Sequence, residues 1–115
     1  MYDENSQGWV SVKKSIKDLQ ILCKKNNINF IILFLPDLHD LSETNKFIKL
    51  YSKINNEFSK MNISIVNTYD SLSNKFKLNP RESWVSKYDS HPNSKAHEII
   101  GNVLYDFIIE QNSIQ

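Results

Sequence analysis

The chain has 115 residues and a formal net charge of +1, with 14 basic against 13 acidic side chains. A near-neutral chain of this length forms at most one domain and has no electrostatic bias towards nucleic acid or an anionic membrane. From this length and charge we expect one domain over residues 1–115 and no nucleic-acid partner. No apolar run approaches the roughly 20 residues of a membrane-spanning helix, so we also expect no membrane span.

The first two elements are a helix and a strand. From Trp9 to Lys25, apolar residues recur at spacings of three and four between lysines, which predicts an amphipathic helix. Residues 28–35 then form an almost continuous apolar run that ends at Pro36. Such a run is typical of a parallel strand covered by helices, so we expect both of its faces to be buried.

A crossover helix follows. The polar segment 36–41 predicts a loop, after which Ser42 or Thr44 could cap a helix running from Phe47 to Met61. Residues 63–66 predict a second strand. A strand, a crossover helix and a second strand imply parallel pairing, and hence an α/β layer fold.

The last third of the chain contains two more predicted helices. Asp70 is the expected cap of a short one, and a loop from Asn79 leads to the final helix, whose apolar stripe begins at Ala96 and ends near Glu110. Gly101 lies inside that helix, where glycine costs about 1 kcal/mol relative to alanine. We therefore expect a neighbouring element to approach closely there.

The sequence Asp89-Ser90-His91-Pro92-Asn93 carries the clearest chemistry. Since a residue before proline favours extended backbone, the aspartate and histidine side chains should point the same way and reach hydrogen-bonding distance. A carboxylate that orients an imidazole is the acid and base half of a catalytic triad. The alternative is structural: the aspartate caps a turn and the histidine merely precedes a helix.

The block from Asp89 to His97, followed by Glu98-Ile99-Ile100 and an amphipathic helix, resembles the last block of the SGNH (GDSL-type) hydrolases. Trp84 ahead of it also fits. The resemblance implies a flavodoxin-like three-layer α/β/α fold, of which these residues form the C-terminal half with a short parallel sheet. It also implies that Asp89 and His91 are the acid and base of a Ser-His-Asp triad acting on esters, by hydrolysis or acyl transfer. Many members of the family have two residues between this pair, whereas here there is one.

The nucleophile and the oxyanion donors of that family cannot be placed on this sequence. Ser6 lacks the Gly-Asp-Ser context, no G-x-S-x-G elbow occurs, and Gly8 and Gly101 are the only glycines. The resemblance thus implies a C-terminal segment that supplies histidine and aspartate without serine, and we expect no measurable ester hydrolysis by these 115 residues alone. The alternative is a non-catalytic or degenerate SGNH-like module that acts by association.

Other candidates carry less weight. The loop residues Asp37, His39 and Asp40 could supply zinc or manganese ligands together with Asp89, His91 and His97, but the sequence predicts no metal and no cofactor. His39 is expected to be a solvated or pocket-shaping loop residue. His97 is expected to pack or cap near the start of its helix. The expected partners are a small-molecule or carbohydrate ester, and a second copy paired through an exposed sheet edge.

Overall fold

The computed structural model describes residues 5–113, which form a mixed α/β structure. The helices are α1 (Gln7–Lys25), α2 (Ile48–Lys60), α3 (Tyr69–Phe76) and α4 (Ser94–Ser113). The strands are β1 (Ile31–Phe34), β2 (Ser64–Asn67), β3 (Trp84–Ser86) and β4 (Asp89–Pro92), and a 3-10 turn spans Pro80–Ser83. The predicted α/β class is confirmed. No helix within residues 5–113 has the length and apolarity needed to cross a membrane.

β1 and β2 pair in parallel, as predicted, with Ile32 opposite Ile65. Thr68 extends the pairing beyond β2, since its backbone N–H and its hydroxyl both donate to the carbonyl of Phe34, at 3.3 and 2.8 Å. The α2 crossover therefore joins two strands whose carboxyl ends lie side by side. The loops that follow β1 and β2 leave from this common edge.

The prediction that both faces of β1 are buried is wrong. All four residues of β1 are half-buried, and the sheet contains β1 and β2 alone within the described part of the chain. Nor does α1, which lies wholly within the described residues, contribute a buried side chain. The strand also begins later than predicted, because Asn27 adopts a left-handed backbone (φ 57°) that ends the turn after α1, a conformation that asparagine tolerates.

The core lies where α3 and α4 meet the loop that follows β1. Its buried side chains are Leu38, Leu41, Tyr69, Leu72, Phe76, Ala96 and Ile100. Two of these belong to the loop predicted to be polar. Hydrogen bonds hold that loop to α3: the Ser73 hydroxyl donates to the Leu41 carbonyl at 2.5 Å, and the Tyr69 hydroxyl donates to the Ser42 carbonyl.

The predicted caps of α2 and α3 are wrong. Ser42 donates from its backbone N–H and its hydroxyl to the Asp40 carboxylate, so the chain forms a turn before the helix, and α2 begins after Phe47. Asp70 lies in the first turn of α3 rather than at its cap, where a negative charge still favours the helix dipole. The side chain of Asn67 instead accepts the Tyr69 N–H at 2.9 Å.

The final helix is longer than predicted and its glycine has a different setting. α4 runs past Glu110 to Ser113, within the described residues. Gly101 is exposed, and among the described atoms nothing lies within 4 Å of where its Cβ would be. The expected close approach at this glycine is therefore wrong.

Candidate functional site

The segment predicted as a loop into the Asp89–Asn93 motif is an antiparallel hairpin of β3 and β4. Ser86 lies opposite Asp89, and Trp84 lies opposite Pro92. The predicted extended backbone of the motif is thus confirmed, because the motif is the strand β4 itself. The register of the hairpin is irregular between Trp84 and Ser86, and the residues at its tip are exposed.

Asn93 fastens the hairpin to the start of α4. Its side-chain amide donates to the carbonyls of Glu82 at 2.7 Å and Trp84 at 3.0 Å, while its side-chain oxygen accepts the Ala96 N–H at 3.0 Å. Its own backbone N–H donates to the Ser83 carbonyl at 2.8 Å. One residue therefore caps α4 and fixes β4, so the end of the motif is anchored on both sides.

Asp89 and His91 form the predicted pair. Oδ1 of the carboxylate lies 2.5 Å from Nδ1 of the imidazole and also accepts the His91 backbone N–H at 3.0 Å. These two bonds, the backbone one foremost, hold the pKa of Asp89 below its ordinary value of 3.8. The carboxylate is ionised at neutral pH and can only accept, so the ring donates from Nδ1. Nε2 remains as the ring nitrogen available to a ligand.

The structural alternative, in which Asp89 caps a turn, also applies in part. The bond from the His91 backbone to the carboxylate is a turn-forming contact of the kind that aspartate makes with the residue two positions on. Both contacts use the same oxygen, so the turn and the orientation of the ring support each other. The His91 side chain is 86% exposed and that of Asp89 is 46% exposed.

Asp37 and His39 form a second pair with the same geometry. Oδ1 of Asp37 lies 2.6 Å from Nδ1 of His39 and accepts the His39 backbone N–H at 2.8 Å. That backbone bond is the main reason that the pKa of Asp37 is lowered, and burial opposes it. These residues lie in a loop, as predicted. The repeated Asp-x-His spacing was the signal that could have revealed the second pair.

The second imidazole is also held by an aromatic contact. The ring of His39 packs edge to face on Trp84, with centroids 4.9 Å apart. Trp84 in turn donates from its indole N–H to the Leu38 carbonyl at 2.9 Å and packs against the core. Tyr88 is exposed at the hairpin tip.

Asp37 and His39 of one pair and His91 of the other line one cleft of about 400 Å³. The residues that line it are Leu35, Pro36, Asp37, Leu38, His39, Leu72, Ser90, His91, Pro92 and Ile100. The loop after β1 and the strand β4 thus meet beyond the carboxyl end of β1, which is where open parallel sheets bind ligands. Two histidines and an apolar wall from α3 and α4 therefore share one ligand-sized space.

The remaining sequence candidates do not join this cleft. His97 is exposed on α4 and is not among the lining residues, so its predicted packing role is wrong. Asp40 is held by Ser42 in its own turn. Among residues 5–113, no three histidine, cysteine, aspartate or glutamate side chains lie close enough together to hold a metal ion.

A serine poised before His91 is not found among the described residues that line the cleft. Ser90 does line it, but adjacent side chains of an extended strand do not point the same way, so its hydroxyl is not aimed at the His91 ring. Ser6 is the cap of α1, with its side chain accepting the Trp9 N–H.

Comparison of the chain with models of protein families, with curated proteins and with solved structures finds no match.

Proposed function

We propose that Asp89 and His91 are the acid and base of an SGNH-type serine esterase or acyltransferase, and that these residues form the C-terminal part of its flavodoxin-like three-layer domain. The observation that carries the proposal is the 2.5 Å contact from Asp89 Oδ1 to His91 Nδ1 at the mouth of an apolar cleft. A parallel β-α-β unit with helices around it is compatible with that fold.

In the proposed reaction, Nε2 of His91 takes the proton from a serine hydroxyl as the serine oxygen bonds to the ester carbonyl carbon. Asp89 stabilises the imidazolium that results. The ring then gives this proton to the alcohol oxygen as the ester C–O bond breaks. Water or a second alcohol repeats the sequence to release the acyl group, which gives hydrolysis or acyl transfer. The serine lies outside the 115 residues.

The proposal is tested on the longer protein encoded with the sequence upstream of Met1. We expect that sequence to contain Gly-Asp-Ser after an apolar strand. A fluorophosphonate probe should then label this serine, and the labelling rate should fall when His91 is replaced by alanine. His97→Ala is the matched control, because His97 is an exposed histidine that does not line the cleft. Equal labelling of the two variants would refute the role of His91.

A non-catalytic module is the second candidate, and the exposed apolar residues of α1 favour it. They are Val10, Val12, Leu19, Ile21 and Leu22. In addition, within the described residues β1 pairs on one side only, with β2. An open strand edge and an unburied helix face favour pairing between chains. In this alternative the chain acts through association, with a second copy as the expected partner.

A further inference from the structure

The Asp37–His39 pair has no role in the proposed triad chemistry. His39 contributes to no hydrophobic core, yet it is held at three points: by the Asp37 carboxylate through its ring and through its backbone, and by the face of Trp84. The His39 side chain is 61% exposed, so the fixed ring remains accessible to a ligand. The same carboxylate–imidazole geometry occurs again at His91, and both histidines are among the residues that line one cleft.

The protonation of this pair determines which ligand atoms it can contact. The pKa of Asp37 is lowered, chiefly by the His39 backbone N–H, so its carboxylate is ionised and accepts the ring Nδ1–H. A neutral imidazole with its proton on Nδ1 presents a lone pair at Nε2. In that neutral form His39 presents a hydrogen-bond acceptor, and a hydroxyl group is a complement to it.

The rest of the cleft selects the other properties of the ligand. The carboxylate of Asp37, whose pKa is lowered, lines the cleft in its ionised form, which disfavours an anionic ligand. Leu35, Leu72 and Ile100 give it an apolar wall. Within residues 5–113, no three side chains that could bind a metal ion lie close together. A shared metal ion therefore does not explain why two histidines line the cleft. A neutral molecule with hydroxyl groups and a short apolar part satisfies all of these conditions.

We propose that His39, positioned by Asp37 and Trp84, is a specificity-determining residue that accepts a hydrogen bond from a hydroxyl on the alcohol portion of the ester. The inference rests on the proposed function for the role of His91, and it narrows the substrate class to esters of a diol or polyol. His39 takes no proton in the reaction. The acyl part lies against the apolar wall, and a free hydroxyl of the alcohol part binds Nε2 of His39.

Binding to the 115-residue chain tests this inference without a nucleophile. Glycerol monobutyrate, which has two free hydroxyls, is titrated at pH 8 into labelled protein, with methyl butyrate as the probe that has no hydroxyl. Glycerol monobutyrate should shift the ring signals of His39, and methyl butyrate should shift only the apolar residues of the cleft. The wild-type measurement stands even where a variant fails to fold.

The variants give the second readout. His39→Phe keeps a ring against Trp84 but removes the acceptor, so the Kd for glycerol monobutyrate should rise roughly three- to tenfold, as expected for one neutral hydrogen bond. The Kd for methyl butyrate should not change, and His97→Phe should change neither. Equal effects on both probes, or unmoved His39 signals, would overturn the inference. Serine labelling that depends on His91 would leave the proposed function intact in that event.

Discussion

His39 and His91 line the same cleft, and each donates from Nδ1 to the carboxylate of the aspartate two residues before it, at 2.6 and 2.5 Å. The two pairs come from distant parts of the chain, one from the loop after β1 and one from β4. Each aspartate also accepts the backbone N–H of its histidine. In each pair, the turn that the aspartate forms with the histidine backbone also orients the histidine ring.

The first prediction concerns the tautomer of His91. In the native chain the ring should carry its proton on Nδ1 at pH 8, because the Asp89 carboxylate accepts it. Asp89→Asn replaces an obligate acceptor by an amide and should mix the two tautomers, which nitrogen-15 shifts of the ring report. Asp37→Asn is the control and should affect His39 alone. An unchanged His91 tautomer in Asp89→Asn would contradict the orienting role.

The second prediction is a pH dependence. The pKa of Asp89 is lowered in the folded chain, mainly by the His91 backbone N–H. The contact therefore contributes its full stabilisation above the unfolded-state pKa, about 3.9, and loses it as the pH falls through the lower folded-state value. Carbon-13 shifts of the Asp89 carboxyl should give a midpoint below that of the same chain in concentrated urea. A folded midpoint at or above the urea value would be evidence against the contact.

The third prediction tests the anchor of the motif. Asn93→Ala removes two donated hydrogen bonds and the side-chain cap of α4, so we expect a loss of about 2 kcal/mol in the free energy of unfolding. Urea denaturation measures it. Asn102→Ala, at an exposed position of α4, is the matched control and should cost nothing. Similar midpoints for the two variants would show that Asn93 does not fasten the hairpin.

The fourth prediction concerns Gly101. A Cβ at this exposed helical position meets no described atom within 4 Å, so Gly101→Ala should stabilise the chain by about 0.5–1 kcal/mol through helix propensity alone. Thermal denaturation should show a raised Tm. A lowered Tm would mean that another element packs against α4 at this point.

The fifth prediction concerns association. The open edge of β1 and the exposed apolar residues of α1 favour self-association, so we expect a dimer or larger species in light scattering at high concentration. An exposed lysine introduced on the apolar face of α1, as in Leu22→Lys, should shift the mass towards the monomer. A strictly monomeric mass for the native chain at high concentration would exclude the association.

Two features of the fold and the site were predicted from sequence patterns. The parallel β1–β2 pair followed from an apolar strand, an amphipathic helix and a second strand, and the Asp89–His91 contact followed from extended backbone before Pro92. The contact depends on spacing within two residues, and the strand pairing depends on the order of elements along the chain. The chain also places Trp84 against the core, in keeping with its aromatic side chain.

Features that depend on distant partners were not predicted. Leu38 and Leu41 are buried because α3 and α4 cover their loop, which looked polar in sequence. The β3–β4 hairpin depends on Asn93 reaching back to Glu82 and Trp84. The burial of β1 was overestimated because the sequence of a strand does not show how many neighbours its sheet has.

The central claim is that His91 acts as the general base for a serine outside these residues, and turnover of a chromogenic acetyl ester tests it most directly. The 115-residue chain should show no turnover that depends on His91. The longer protein should hydrolyse the ester, and His91→Ala should lower kcat/KM by roughly 10²- to 10⁴-fold, with His97→Ala unchanged. Turnover of the longer protein that survives His91→Ala, or His91-dependent turnover by the 115 residues alone, would contradict the claim.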